Sequence, residues 1–199
     1  MKILLILLII VGHLFSTTIN ESLLKVHATL IPKISLMDYK FQEKIQNNTI
    51  VIAIMYKDSE YKNAKSLKNK IDSRYKDGIK SYKIEANLVS YRDVKKATAN
   101  IYYIFPTQES DIKKTIDQAN INGALTFSYL KDDLKHGVMI SLNVSKKIKP
   151  ILNLDAIKIH KIAFRPVLID ISTIYNNHSS ALDSSLIKSF NKLQFLYVV

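Results

Sequence analysis

The chain has 199 residues, no cysteine, four glycines and a formal net charge of +12. That length suffices for one domain with its own hydrophobic core. The lack of cysteine excludes disulfides, thiol redox sensing and thiolate-bound metal. Hydrophobic residues make up 47% of the chain, which excludes a disordered or collagen-like polypeptide.

The chain begins with a positive Met1-Lys2, an unbroken apolar run Ile3–Val11, and a smaller, more polar exit over Gly12–Ser16, with cleavage expected after Ser16 or Thr18. This reads as a secretory signal peptide over residues 1–18. The run is short for a membrane span, which needs about 20 residues; an uncleaved anchor is the competing reading. The expectation is an exported, periplasmic protein.

From residue 19 the sequence alternates helical and strand-like segments. Asn20 or Ser22 caps a first amphipathic helix in "ESLLKVHATLIPKISLMD", which Pro32 is expected to kink. "TIVIAIMY" is a compact apolar run suited to a strand buried on both faces. "DSEYKNAKSLKNKIDSRYKDG" reads as a helix capped by Asp58 or Ser59, with Tyr61, Ala64, Leu67 or Lys68, and Ile71 inward and Gly78 as its stop. "IKSYKIEANLV" is a second strand, and Ser90 caps a short helix after it. "NIYYIFP" is a third strand, in which one of Tyr102 and Tyr103 enters the core and the other packs on a helix. Thr107 caps the helix "TQESDIKKTIDQANING", and "ALTFS" is a short buried strand. "YLKDDLKHG" is a polar excursion.

"GVMISLNVSKKIKPILNLDAIKIHKI" then alternates, turns through lysines and alternates again, predicting an antiparallel hairpin over Gly137–Leu154. Asp155 is expected to cap the helix that follows. "VLIDIS" suits another strand or a packed turn, and residues 177–199 form a helical extension. The predicted fold is α/β: a mainly parallel sheet with helices on both faces and an antiparallel hairpin at its C-terminal edge.

The positive charge suits nucleic acid or anionic lipid. Arg74, Arg92 and Arg165 are the only arginines, which is poor equipment for phosphate and base readout, and export argues against nucleic acid. Weak attraction to an anionic membrane surface remains an expectation. Neither HExxH, G-x-S-x-G, a P-loop nor G-x-G-x-x-G occurs. Asp132, Asp133 and His136 have near-helical spacing but lack a second ligand cluster, so a solvated turn is preferred over a metal site. Arg165 reads as a surface salt-bridge residue. No catalytic residue, cofactor or metal is assigned.

The segment from Gly137 to Phe164 resembles the C-terminal signature of the YfiR/HmsC-like family. Gly137, Met139 and Ile140 match its glycine–hydrophobic–Ile strand, and Asn153, Leu154, Asp155 and Ala156 match its "INLDAA"-type motif. "IVIAIMYKD" is similar to the family's first strand and "ANIYYIF" to a later one, so the resemblance spans residues 23–172 within a domain of 19–176. Its Trp-Pro segment and paired redox cysteines have no counterpart here, and its "ISSKLLKLA" ending is replaced by "IAFRPVLIDIS".

The resemblance implies a non-enzymatic periplasmic regulator. Such a protein binds and represses the periplasmic part of an inner-membrane diguanylate cyclase or sensor, alone or as a homodimer. The alternative is a periplasmic small-solute-binding component using the crevice at the carboxyl ends of the parallel strands. Tyr56, Lys57, Asp58, Phe105, Thr107, Ser128 and Tyr129 would then lie at its mouth.

Overall fold

The computed structural model describes residues 19–144 and 148–175. The expected leader, residues 145–147 of the expected hairpin connection and the expected extension at 177–199 lie outside the described residues.

Helix α1, Glu21–Ser35, starts where the Asn20 carboxamide oxygen accepts the backbone N–H groups of Ser22 and Leu23 at 2.8 and 3.3 Å. Such a cap satisfies donors that the first helical turn leaves without partners. Pro32 lies within the last turn, and the helix continues to Ser35. The buried face carries Leu24, His27, Ala28, Ile31 and Ile34, so a histidine sits in a stripe that reads as purely apolar.

Seven strands follow: β1 Thr49–Tyr56, β2 Lys83–Ser90, β3 Ile101–Ile104, β4 Leu125–Ser128, β5 Ile140–Val144, β6 Ile148–Leu152 and β7 Thr173–Ile174. They form one sheet in the order β2-β1-β3-β4-β5-β6-β7. Every neighbouring pair is parallel except β5–β6, which runs antiparallel in the register Ile140↔Leu152 to Val144↔Ile148. The hairpin therefore closes the C-terminal edge as the alternation predicts, and two residues of β7 add to its outer side.

The central strands are buried on both faces, which explains their unbroken apolar runs. Ile50, Ile52, Ile54 and Tyr103 pack towards α1 and helix α2 (Tyr61–Arg74). Ala53, Met55, Tyr102 and Ile104 pack on the opposite face with the 3-10 segment Tyr91–Lys96 and helix α3, Glu109–Ile121. Each fully buried isoleucine contributes roughly 1.5–3 kcal/mol. Helices α4, Leu154–Ile159, and α5, Pro166–Ile171, add Ala156, Ile157, Leu168 and Ile169 to the first face.

Several local expectations are corrected. Asp58–Glu60 form a 3-10 turn ahead of α2 rather than its side-chain cap. Tyr61 is 45% exposed, its ring 5.5 Å from that of Tyr56. Thr107 does not cap α3; its hydroxyl donates to Asp111 Oδ2 at 2.9 Å, and Gln108 precedes the helix. The segment read as a strand or turn, "VLIDIS", is mostly helical, because Pro166 at the first position has the backbone angle a helix needs. Arg165 forms no surface salt bridge among the described residues; its guanidinium lies over Tyr39, 5.7 Å from the ring centre.

Asp155 does not cap the helix after the hairpin. That role belongs to Asn153, whose side-chain oxygen accepts Ala156 N–H at 3.1 Å while its amide donates to the Leu134 carbonyl at 2.8 Å. Leu154 opens the helix and Asp155 points from its first turn into solvent. Gly137 takes φ +100, where a side chain is disfavoured, and ends the 3-10 segment Lys131–His136.

Candidate functional site

The chain passes from β1 to β2 on one side of the sheet and then crosses to β3 on the other. That reversal creates a topological switch point at the carboxyl ends of β1 and β3. Of the seven expected crevice residues, three form a wet rim. Tyr56 is half-buried against Tyr61, Lys57 is exposed, and exposed Asp58 faces the Arg92 guanidinium at 3.4 Å.

Three others are interior. Phe105, Ser128 and Tyr129 are 0%, 1% and 9% exposed. The Phe105 carbonyl accepts the Tyr91 hydroxyl at 2.7 Å, and its ring stacks near Tyr129 at 6.1 Å. The Tyr129 hydroxyl accepts Asn20 N–H at 3.1 Å, tying this end of the sheet to the start of α1. The Ser128 hydroxyl donates to Asp133 Oδ2 and receives Leu130 N–H at 3.0 Å. Thr107 is half-buried. Among the described residues no side-chain hydrogen bond or ring contact joins the rim trio to the interior trio.

The segment expected as a solvated turn is instead anchored. Leu134 is fully buried and Asp133 is 5% exposed, and burial raises the Asp133 carboxyl above the usual carboxylate range. His136 lies 3.5 Å from Glu109, on another element. Among the described residues no three His, Asp or Glu side chains converge to hold a metal.

Behind the interior trio lies a group that the sequence reading missed. His27 Nδ1 is 2.6 Å from the Tyr103 hydroxyl, and its ring also packs against Tyr129 at 5.7 Å. Burial alone lowers the imidazole pKa to about 4. The same burial holds the Tyr103 hydroxyl well above the usual phenol range.

An open groove lies elsewhere. A groove of about 820 Å3 runs between α1 and α2, with Ala28 among its lining residues. Lys25, Lys62, Lys65, Lys70 and Arg74 line it, against a single carboxylate, Glu21. Glu21 is held by Lys70 at 2.8 Å and by the Ser66 hydroxyl at 2.9 and 3.0 Å, and these contacts lower its pKa. The lysines of "YKNAKSLKNK" show helical spacing, but their convergence with Lys25 is a tertiary fact.

These features define a helix-covered, mainly parallel α/β domain whose strand ends are largely filled and whose open groove is basic. No curated protein matches the chain. A solved conserved domain protein from Vibrio cholerae shares the fold at 15% identity and a TM-score of 0.55. The match covers 77% of this chain and 60% of that one, so the chain spans less than two thirds of that protein's length. A Streptococcus pneumoniae ABC domain solved in complex with L-Trp aligns at 9% identity and a TM-score of 0.47, covering 71% of this chain and 60% of that one. The model of the YfiR/HmsC-like family matches residues 35–173, and the chain belongs to that family.

Proposed function

We propose that the protein is an exported, non-enzymatic regulator that binds the periplasmic part of an inner-membrane diguanylate cyclase and holds it inactive. The observation that carries this reading is the family match across residues 35–173, from the end of α1 to the start of β7. Polar groups at the strand ends support contact rather than turnover. Tyr91 donates to the Phe105 carbonyl, Tyr129 accepts Asn20 N–H, and Ser128 donates to Asp133, so these groups are already engaged by internal hydrogen bonds. A solute-binding role draws less support, since Phe105, Ser128 and Tyr129 are packed into the core. Among the described residues no helix is long and apolar enough to cross a membrane.

The test is direct. Deleting the gene should raise cellular cyclic-di-GMP, and the purified protein should retain the periplasmic domain of a cyclase from the same cell. Unchanged cyclic-di-GMP together with no retained domain overturns the reading.

A further inference from the structure

The groove between α1 and α2 already holds one carboxylate of the chain's own, Glu21. The Glu21 carboxylate lies between the Lys70 ammonium and the Ser66 hydroxyl, both within hydrogen-bond distance. Lys25, Lys62, Lys65 and Arg74 extend the same cationic lining, yet none enters an ion pair among the described residues. The one resident acid thus forms an ion pair with one of the five cations and feels Lys62 only at longer range.

We infer that this groove is a docking site for an extended acidic segment of a protein partner, whose carboxylates pair with Lys25, Lys62, Lys65 and Arg74. Lys62, Ser66, Lys70 and Arg74 recur every fourth residue on one face of α2. Lys62 and Arg74 are twelve residues apart, about 18 Å along the helix. An extended chain covers that length in about five or six residues, so a short run of alternating acidic side chains meets the row. A concave cleft flanked by two helices suits a peptide strand better than a flat lipid surface. Its hydroxyl and lysine donors already recognise a carboxylate. The regulatory reading supplies the context for such a segment, as part of the bound sensor. The probe below is a free peptide, so either idea can fail while the other stands.

The experiment measures fluorescence anisotropy of a labelled, end-blocked peptide of about six residues alternating Glu and Ser, titrated with the purified protein. Saturable binding is expected, weakening as salt rises. The Lys25→Gln/Lys62→Gln/Lys65→Gln variant should lose at least about tenfold in affinity, by removal of three charge-assisted contacts. A control triple on the opposite face of the sheet, Lys95→Gln/Lys131→Gln/Lys135→Gln, should stay within about twofold, because exposed charges beyond a Debye length are screened. Glu21→Gln should tighten binding several-fold by releasing Lys70 and Ser66. Thermal melts matching the parent establish that the variants fold. Equal losses in the two triples would reduce the effect to diffuse charge and overturn the inference. So would absence of saturable peptide binding, or binding of phosphatidylglycerol vesicles, in place of the peptide, that the groove triple abolishes.

Discussion

His27 and Tyr103 meet between α1 and β3 with imidazole Nδ1 and phenol oxygen 2.6 Å apart, neither side chain reaching solvent. The other ring nitrogen, Nε2, has no hydrogen-bond partner among the described residues. An imidazolium here would be a buried charge facing only the Tyr103 and Tyr129 rings, which is why the ring stays neutral.

Stability should therefore fall in acid through this one residue. The folded pKa of about 4 lies below the ordinary histidine value of 6.5. Between those values the unfolded chain binds a proton at His27 that the folded chain does not, so stability declines as pH drops through this window. At about 1.4 kcal/mol per pKa unit, the loss approaches roughly 3 kcal/mol near pH 4. Urea unfolding of the parent and of His27→Gln at pH 7, 5.5 and 4 measures it. The parent should lose more than the variant, and parallel pH profiles would refute the assignment.

The Ser128–Asp133 pair gives a contrasting pH signature. Burial raises the Asp133 pKa, so the ionised form costs stability above that pKa and the cost is relieved as pH falls through it. Asp133→Asn keeps a hydrogen-bond acceptor for Ser128 without the charge, and should match or exceed the parent at neutral pH. Ser128→Ala strips the carboxylate of its donor and should cost about 1–3 kcal/mol. Chemical denaturation at pH 7 separates the two, and equal destabilisation by both would show that the charge itself is needed.

Asn153 and Asp155 differ in weight despite sharing one motif. Asn153 holds both Ala156 N–H and the Leu134 carbonyl, so Asn153→Ala removes a helix cap and a buried donor. The expected loss is about 2–3 kcal/mol. Asp155 is exposed in the first turn, where a carboxylate contributes only about 0.3–1 kcal/mol through the helix dipole. Denaturant midpoints of the two alanine variants should show this order, and the reverse order would restore Asp155 as the cap.

The architecture was legible because apolar runs, helical spacing and strand alternation are local signals. "IVIAIMY" and "NIYYIFP" fit strands enclosed on both faces, and "GVMISLNV" with "IKPIL" fits a hairpin. The errors lie where a side chain chooses a tertiary partner over a neighbour in sequence. Asn153 reaches across nineteen residues to Leu134, whereas Thr107 misses its expected role locally, its hydroxyl turning to the Asp111 side chain four residues on instead of the α3 backbone. Topology puts these residues at the carboxyl ends of β1, β3 and β4, yet topology does not say whether Phe105 and Tyr129 fill that space. Likewise, Lys25 belongs with Lys62 and Lys65 only because α1 lies beside α2.

Two glycines with similar backbone angles should respond differently to a methyl group. Gly78 and Gly123 take φ +78 and +60, a region that costs an alanine roughly 1–2 kcal/mol. At Gly123 an added Cβ meets no atom within 4 Å, so only that backbone cost applies. At Gly78 the Cβ would enter the space of the Tyr82 carbonyl oxygen, in the turn where Ile79 and Tyr82 exchange backbone hydrogen bonds of 2.9 and 3.0 Å. Backbone atoms there cannot rotate away as a side-chain tip can, and that turn aligns β2 with β1 through the Lys83 N–H to Asn48 carbonyl bond of 2.9 Å. Gly123→Ala should lower stability by about 1 kcal/mol, and Gly78→Ala by at least about twice that, since overpacking adds its own penalty. Equilibrium unfolding of both variants decides the point: equal losses would mean that the turn yields freely and does not fix the register of β2.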